Sequence, residues 1–181
     1  MVSRLYLFAL IAERLYELWL SRRNAARAFA NGGVEVGQGH YRVMALFHAL
    51  FFVACAVEAR AFDPVLFFGF LPGALAAMAL RYWAIRTLGD RWNTRVIVVP
   101  NAAPVTGGPY RFMKHPNYLA VCLEMICVPM MLGAWATALA FSLGNAALLV
   151  VRIRAEEKAL GPQWAEAFEG KRRLIPGGPR G

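Results

Sequence analysis

Charge is what this 181-residue chain has least of: 17% of its residues are Asp, Glu, Lys or Arg, against 59% that are hydrophobic. An ordinary globular domain carries about 25% charged residues, so this supply is too thin to coat a water-soluble surface. Cysteine is nearly as scarce. Cys55, Cys122 and Cys127 all lie inside apolar runs, with no CxxC and no histidine at ligand spacing. That excludes a disulfide framework and a metal site, and leaves the three as small buried hydrophobes. There is no GxGxxG, which speaks against a Rossmann dinucleotide site. No internal or inverted repeat marks a solenoid or a transporter. The first apolar run is broken by Glu13, Arg14 and Glu17 and has no clean small-residue cleavage site. It is therefore expected to remain in the protein rather than be removed as a signal peptide.

What the chain has instead is long apolar runs flanked by cations. The net charge is +9, from 20 Lys and Arg against 11 Asp and Glu. The cations border the runs rather than line a soluble face, so they indicate a membrane protein and not a nucleic-acid binder. Spans are expected at residues 2–20, 43–59 and 65–85, the last emerging through Arg81 and Arg86. Residues 118–151 are too many for one span and enough for two tight ones, so a helical hairpin turning at Gly133 is expected, with spans 118–132 and 135–151. The fold class is thus an all-α integral membrane protein of one domain and about five spans. In this arrangement the basic segments 21–42, 86–116 and the tail from Arg152 share one side. The positive-inside rule then places the C-terminus in the cytoplasm, with a bacterial inner membrane expected.

Several details accompany that frame. Glu13 and Glu17 share a helix face, so they point to a protein interior or wet cavity, or are paired internally with Arg14. Residues 21–42 are expected to form a loop, and "RVIVVP" (95–100) a short extended run. His48 is expected to pack rather than ligate. In the tail, Ile153, Leu160, Trp164 and Phe168 recur at helical spacing, as in an amphipathic helix lying on the membrane or over a pocket. "IPGGPRG" (175–181) is expected to be disordered.

Two polar clusters bracket the hairpin: "GGPYRFMKHPNY" (107–118) before it and "RIRAEE" (152–157) after it. A hairpin returns its ends to neighbouring places, so His115, Asn117 and Tyr118 are expected near Arg152 and Glu156. The glycines permit close backbone approach, and the prolines hold turns that expose N–H groups. Asn117 is expected to cap the following helix. Glu156 suits ribose hydroxyls or an amine, and Arg152, one helical turn earlier, suits an anionic or phenolic oxygen. A bland alternative is a positive-inside collar with Arg152–Glu156 as an ordinary helix pair.

"GPYRFMKHPNYLAV" with "RIRAEEKAL" resembles the isoprenylcysteine carboxyl methyltransferase family, integral membrane enzymes that use S-adenosyl-L-methionine. Phospholipid N-methyltransferases are more distant relatives. The resemblance covers about residues 95–175. It implies cofactor contacts at Ala103, Val105, Tyr110, His115, Pro116, Asn117, Tyr118 and Glu156, and a substrate-facing Arg152. Lys114 stands where the family motif has arginine, and Ala120 where it has glycine. "ERLYELWLSRRNAARAFANGGVEVGQGHYRVMALFHALF" looks like a small bacterial branch, some members of which resemble O-methyltransferases of long-chain alkylresorcinols or alkylpyrones. The implied substrate is lipophilic and enters from the bilayer, among membrane lipids. A carboxylate acceptor would need no base, whereas a phenol would, and His115 is the nearest candidate. Competing classes are a phospholipid N-methyltransferase, an NADPH-dependent membrane reductase and a non-catalytic membrane scaffold.

Overall fold

The computed structural model describes residues 2–177. Five helices dominate: α1 Val2–Ala30, α2 Gln38–Glu58, α3 Pro64–Leu88, α4 Pro116–Met131 and α5 Trp135–Ala167. Two short strands, β1 Val34–Val36 and β2 Val96–Val98, pair antiparallel with Glu35 opposite Ile97. The fold is an all-α membrane protein. By length and composition, α2, α5 and the stretch Pro64–Arg91 are apolar enough to cross a bilayer, while α4 is apolar but shorter. At 16 residues, α4 is about 24 Å long, less than the ~30 Å hydrocarbon layer.

Large apolar side chains point outward along these helices, among them Leu46, Leu50, Val53 and Val57 on α2 and Leu139, Leu143 and Val150 on α5. In water that would be unfavourable; in lipid it is the ordinary surface. Inside, α3 and α4 form the tightest pair. Gly73, Ala74 and Ala77 give α3 a small-residue face, and a Cβ added at Gly73 would meet Cys127 Sγ at 2.6 Å. Such close approach replaces the hydrophobic drive that lipid cannot supply.

The hairpin turns at Gly133, as expected, and the two short loops meet at that end. Arg60 N donates to Leu132 O (3.0 Å). The Glu58 carboxylate accepts from Ala136 N (3.0 Å), Thr137 N (2.7 Å) and the Thr137 hydroxyl (2.6 Å), capping α5. Asp63 likewise caps α3, whose first residue is Pro64. Both caps satisfy orphan N–H groups at a helix start.

Three expectations need correction here. Of the expected loop 21–42, residues 21–30 and 38–42 are helix: α1 runs on to Ala30 and α2 begins at Gln38. Alanine and arginine are strong helix formers, and the Asn24 amide docks on Trp92 O (2.8 Å) and Gly89 O (3.2 Å). The charged segment 152–160 is no separate tail helix but the direct continuation of the returning span. The break comes at Gly161, with φ 76° and ψ −171°, where Pro162 disfavours helix in the residue before it and glycine takes the left-handed φ. The start of "IPGGPRG" is docked: Lys114 N, His115 N and Gly177 N bond Arg172 O, Arg173 O and Phe112 O respectively. Residues 178–181 lie outside the described residues.

Arg81 is also not an exit marker. It is buried and ion-paired to Glu124 of α4 through two hydrogen bonds, one of them Nε to Oε1 at 3.0 Å. Arg14 of α1 reaches the same carboxylate at 3.1 Å and Glu17 at 2.6 Å, and Arg81 lies 3.5 Å from Glu17. With Glu13 also 3.4 Å from Arg14, three carboxylates and two guanidiniums join α1, α3 and α4. The Arg14–Glu17 pairing and the interior-facing carboxylates foreseen from the sequence are both present. Glu124, the one acid in the expected hairpin run 118–151, completes them.

Removing one partner of such a cluster leaves uncompensated charge in an apolar layer. Glu124→Ala is expected to cost about 3–5 kcal/mol and to lower the denaturation midpoint in detergent micelles. Arg14→Ala, at a position about one-fifth exposed, should cost clearly less; equal midpoints for wild type and Glu124→Ala would refute the role given to the cluster.

Candidate active site

The segment between α3 and α4 is the strap that forms one wall of the site. β2 anchors its start on β1, and Arg91 donates to Ala103 O. Gly108, with φ 54°, then packs so close to Thr87 of α3 that any Cβ would collide with its hydroxyl. That contact seats Pro109 and Tyr110, both buried. Burial pushes the Tyr110 phenol well above its usual value, and the nearby Glu156 carboxylate adds to it, so the hydroxyl stays protonated at neutral pH.

His115 precedes Pro116 and is held in place from every side. Its ring stacks on Tyr118 (centroids 5.3 Å) and tilts against Trp164 (5.6 Å). Its Nε2 is committed to Glu157 at 3.1 Å, and Glu157 is gripped in turn by Arg173 (2.6 and 2.9 Å). Burial would raise the Glu157 carboxyl, but the hydrogen bonds from Arg173 and His115 outweigh it and hold it below the usual range.

Across the hairpin, the Tyr118 hydroxyl links the two polar clusters. It accepts from Arg152 Nε at 2.8 Å and donates to the Glu156 carboxylate. No direct Arg152–Glu156 ion pair forms among the described residues, so the ordinary helix pair is absent and a phenol bridges the two instead. Arg152 is buried, and its remaining nitrogens reach Thr94 O (2.6 Å) and Met44 Sδ (3.8 Å). The arginine thereby joins α5 to the strap and to α2.

These groups border a cavity of about 1130 Å³, larger than the ~300–1,000 Å³ of a pocket for one small molecule. Ala103, Val105, Tyr110, His115, Asn117 and Tyr118 line it, as do Arg152 and Glu156 across the hairpin. Pro116 does not. It is fully buried at the start of α4, where its fixed φ suits the first helical position. Asn117 is not a cap either: His115 holds that position, and Asn117 Oδ1 is left buried without a hydrogen-bond partner on the cavity wall. Leu160, Trp164 and Phe168 close the roof, so the apolar stripe packs over the pocket rather than on the membrane surface.

Sequence reasoning missed part of the wall. The cavity extends between α1 and α2 to Ile11, Leu15, Leu18, His48 and Phe52, with Arg14 and Arg81 beside them. Helical spacing of 41, 44, 45, 48 and 52 could have flagged that face of α2, but an apolar stripe alone does not distinguish a cavity from a core.

The description "Isoprenylcysteine carboxyl methyltransferase (ICMT) family" matches residues 69–162. The chain belongs to this family. The match takes in most of α3, the strap, α4 and most of α5, hence both halves of the Tyr118 bridge, while α1 and α2 fall outside it. Membrane methyltransferase activity is what membership implies. Among relatives, the uncharacterized protein YpbQ of Bacillus subtilis is 40% identical over 154 residues, covering 83% of this chain and 92% of its own. An uncharacterized protein of Haemophilus influenzae is 26% identical over 156 residues, covering 83% and 90%.

The Glu157 clasp makes a pH prediction for this methyltransferase. A carboxyl held below its unfolded value of about 4.3 contributes stability that is complete above that pH and is lost as pH falls through the folded value. Amide protection at Lys114 and His115, corrected for intrinsic exchange, should be constant from pH 5 to 8 and fall below about pH 4. Glu157→Gln should reproduce the loss at pH 7 in hydrogen-exchange mass spectrometry.

Proposed function

We propose that the protein transfers the methyl group of S-adenosyl-L-methionine to a carboxyl or hydroxyl oxygen of a lipophilic substrate. The observation that carries this is the Tyr118 bridge. It sets Arg152 and Glu156 side by side on the wall of one cavity that runs from the strap to the gap between α1 and α2. The residues at the strap end suit the cofactor. Asn117 Oδ1 is an unsatisfied acceptor on the wall, Glu156 is acidic, and Tyr110, Trp164 and Phe168 offer aromatic faces to a base or a sulfonium. Glu156 and Asn117 would hold its hydroxyls and amine, with His115, Tyr118 and the backbone at Ala103 and Val105 around them. Pro116 would act from behind, by starting α4.

When bound, the cofactor supplies an electrophilic methyl on a sulfonium whose charge vanishes on transfer. The protein's part is to position and to exclude water. Arg152, fixed by Tyr118, Thr94 and Met44, orients the acceptor oxygen and stabilises its negative charge. The strap and the Trp164–Phe168 roof shield the reacting atoms. The lipophilic tail lies between α1 and α2, where the walls are apolar. In the five-span arrangement the strap faces the cytoplasm with the C-terminus, in a bacterial inner membrane.

Calorimetry of the purified protein in micelles with S-adenosylhomocysteine tests this. Glu156→Ala should weaken binding by about 10–100-fold, the worth of a charged hydrogen bond. Arg152→Lys should leave binding nearly unchanged while methyl transfer from labelled cofactor into a lipid extract is lost. A well-folded protein that binds no S-adenosylhomocysteine would overturn the reading, and binding of NADPH in its place would favour the reductase.

A further inference from the structure

The arm of the cavity between α1 and α2 is apolar except at one level. α1 faces it with Ile11, Arg14, Leu15 and Leu18, and α2 with Tyr41, Met44, Ala45, His48 and Phe52, each set following the i, i+3, i+4, i+7 spacing of one helical face. Arg14 and His48 therefore belong to the cavity-facing stripes themselves, and Arg81 of α3 lines the same cavity. The charged neighbours of His48 are Arg81, Arg14 and Glu124, so these side chains share one polar level. Its place along the arm follows from the helices. At the strap end, Ser21 of α1 accepts from Thr94 N, Met44 Sδ of α2 touches Arg152, and Tyr118 of α4 bonds Arg152. Arg14 and Arg81 both bond Glu124 of α4, which a rise of 1.5 Å per residue puts ~9 Å beyond Tyr118. One turn farther still, the walls are apolar again at Ile11 and Phe52.

The hydrogen-bonding capacity left over at this level defines what it can hold. Among the described residues, nothing accepts from Arg14 Nε or Arg81 Nη1. His48 Nδ1 lies 2.8 Å from Met44 O. A carbonyl only accepts, so Nδ1 carries the hydrogen and Nε2 of the neutral ring keeps its lone pair. A hydroxyl accepts from a guanidinium and donates to such a nitrogen at once, which a ketone or a carboxylate cannot do. Charge also excludes a carboxylate, because Glu13, Glu17 and Glu124 already outnumber the two arginines. We infer that Arg14, Arg81 and His48 form a hydroxyl subsite, and that the substrate is a lipid chain with a neutral hydroxyl part-way along it. This rests on the methyl-transfer reading above and adds a specificity element to it. At ~1.2 Å of advance per chain bond, the ~9 Å offset puts that hydroxyl about seven bonds from the methylated oxygen. The rest of the chain continues against Ile11 and Phe52. A chain that is plain hydrocarbon at this level leaves the polar groups unpaired in an apolar wall, and is disfavoured for that reason.

The probes are octadecanoic acid and its 8-hydroxy and 16-hydroxy derivatives, titrated by calorimetry into the protein in micelles. The two isomers have the same composition and headgroup, so only the position of the hydroxyl differs. Wild type should bind the 8-hydroxy isomer about 10-fold more tightly than the 16-hydroxy isomer. In His48→Leu that preference should shrink to about twofold or less, while octadecanoic acid binds at least as tightly as to wild type. A histidine that served packing alone would weaken all three probes together. Arg14→Ala should lose the same preference, and His48→Leu carries the test if Arg14→Ala does not fold. Equal binding of the two isomers to wild type, as a level holding only water would give, overturns the inference. So does a preference that survives the substitutions, or a failure of all three probes to bind. S-adenosylhomocysteine calorimetry on the same samples separates the two levels. Its binding to wild type leaves the methyl-transfer reading standing whatever the isomers do, and its absence sinks that reading while the isomer preference is judged on its own.

Discussion

An ionisable group inside hydrocarbon must find its partners within the protein, and this constraint organises the bundle. Glu13, Arg14 and Glu17 of α1, Arg81 of α3 and Glu124 of α4 answer it together. Lipid gives helices no hydrophobic reason to associate, so a directional cluster linking three of them fixes their rotation and depth as small-residue packing alone would not. α1 is tied to α3 and α4 through these charges, and its residues line the cavity together with those of α2. The gap between them becomes the apolar arm of the cavity. The same cluster thus anchors the fold and sets the shape of the chamber the lipophilic substrate would occupy.

The polar end of the cavity depends on the hairpin. Tyr118 stands on the outgoing helix and Arg152 and Glu156 on the returning one, so the bridge exists only when the two close against each other. Capping by Glu58 at the far end and the docked tail at the near end hold that closure from both sides. Tyr118, Arg152 and Glu156 are seated on helices, while the strap contributes His115, backbone and aromatic wall. Rigid placement of the charged groups, with a loop closing over them, suits a reaction whose protein contribution is orientation and exclusion of water.

Much of this was legible because it follows from period and composition. Apolar runs bordered by arginines specify helices in lipid; Gly133 in the middle of residues 118–151 specifies a hairpin; and a hairpin brings 115–118 to 152–156 whatever the details. What escaped was non-local. β1 is three residues long, too short to show alternation, and exists only as a partner for β2. Glu124 is one acid in an oily run, and Arg81 looked like an exit marker until each was seen facing the other. The cap position at the start of α4 falls to His115 rather than Asn117, and Pro116 stands behind the cavity wall, because which residue caps depends on where the strap arrives.

The sequence alone therefore determined the class of solvent, the helical content and the pairing of two polar segments, since each rests on local pattern and chain connectivity. Tertiary structure decided which charges are matched, that Arg152 meets Glu156 through the Tyr118 hydroxyl, and that His115 is clasped to Glu157. Those are facts about neighbours distant in sequence. Their physical basis is the cost of leaving a polar atom unpaired away from water, and which polar atoms bear that cost is settled only when the helices pack.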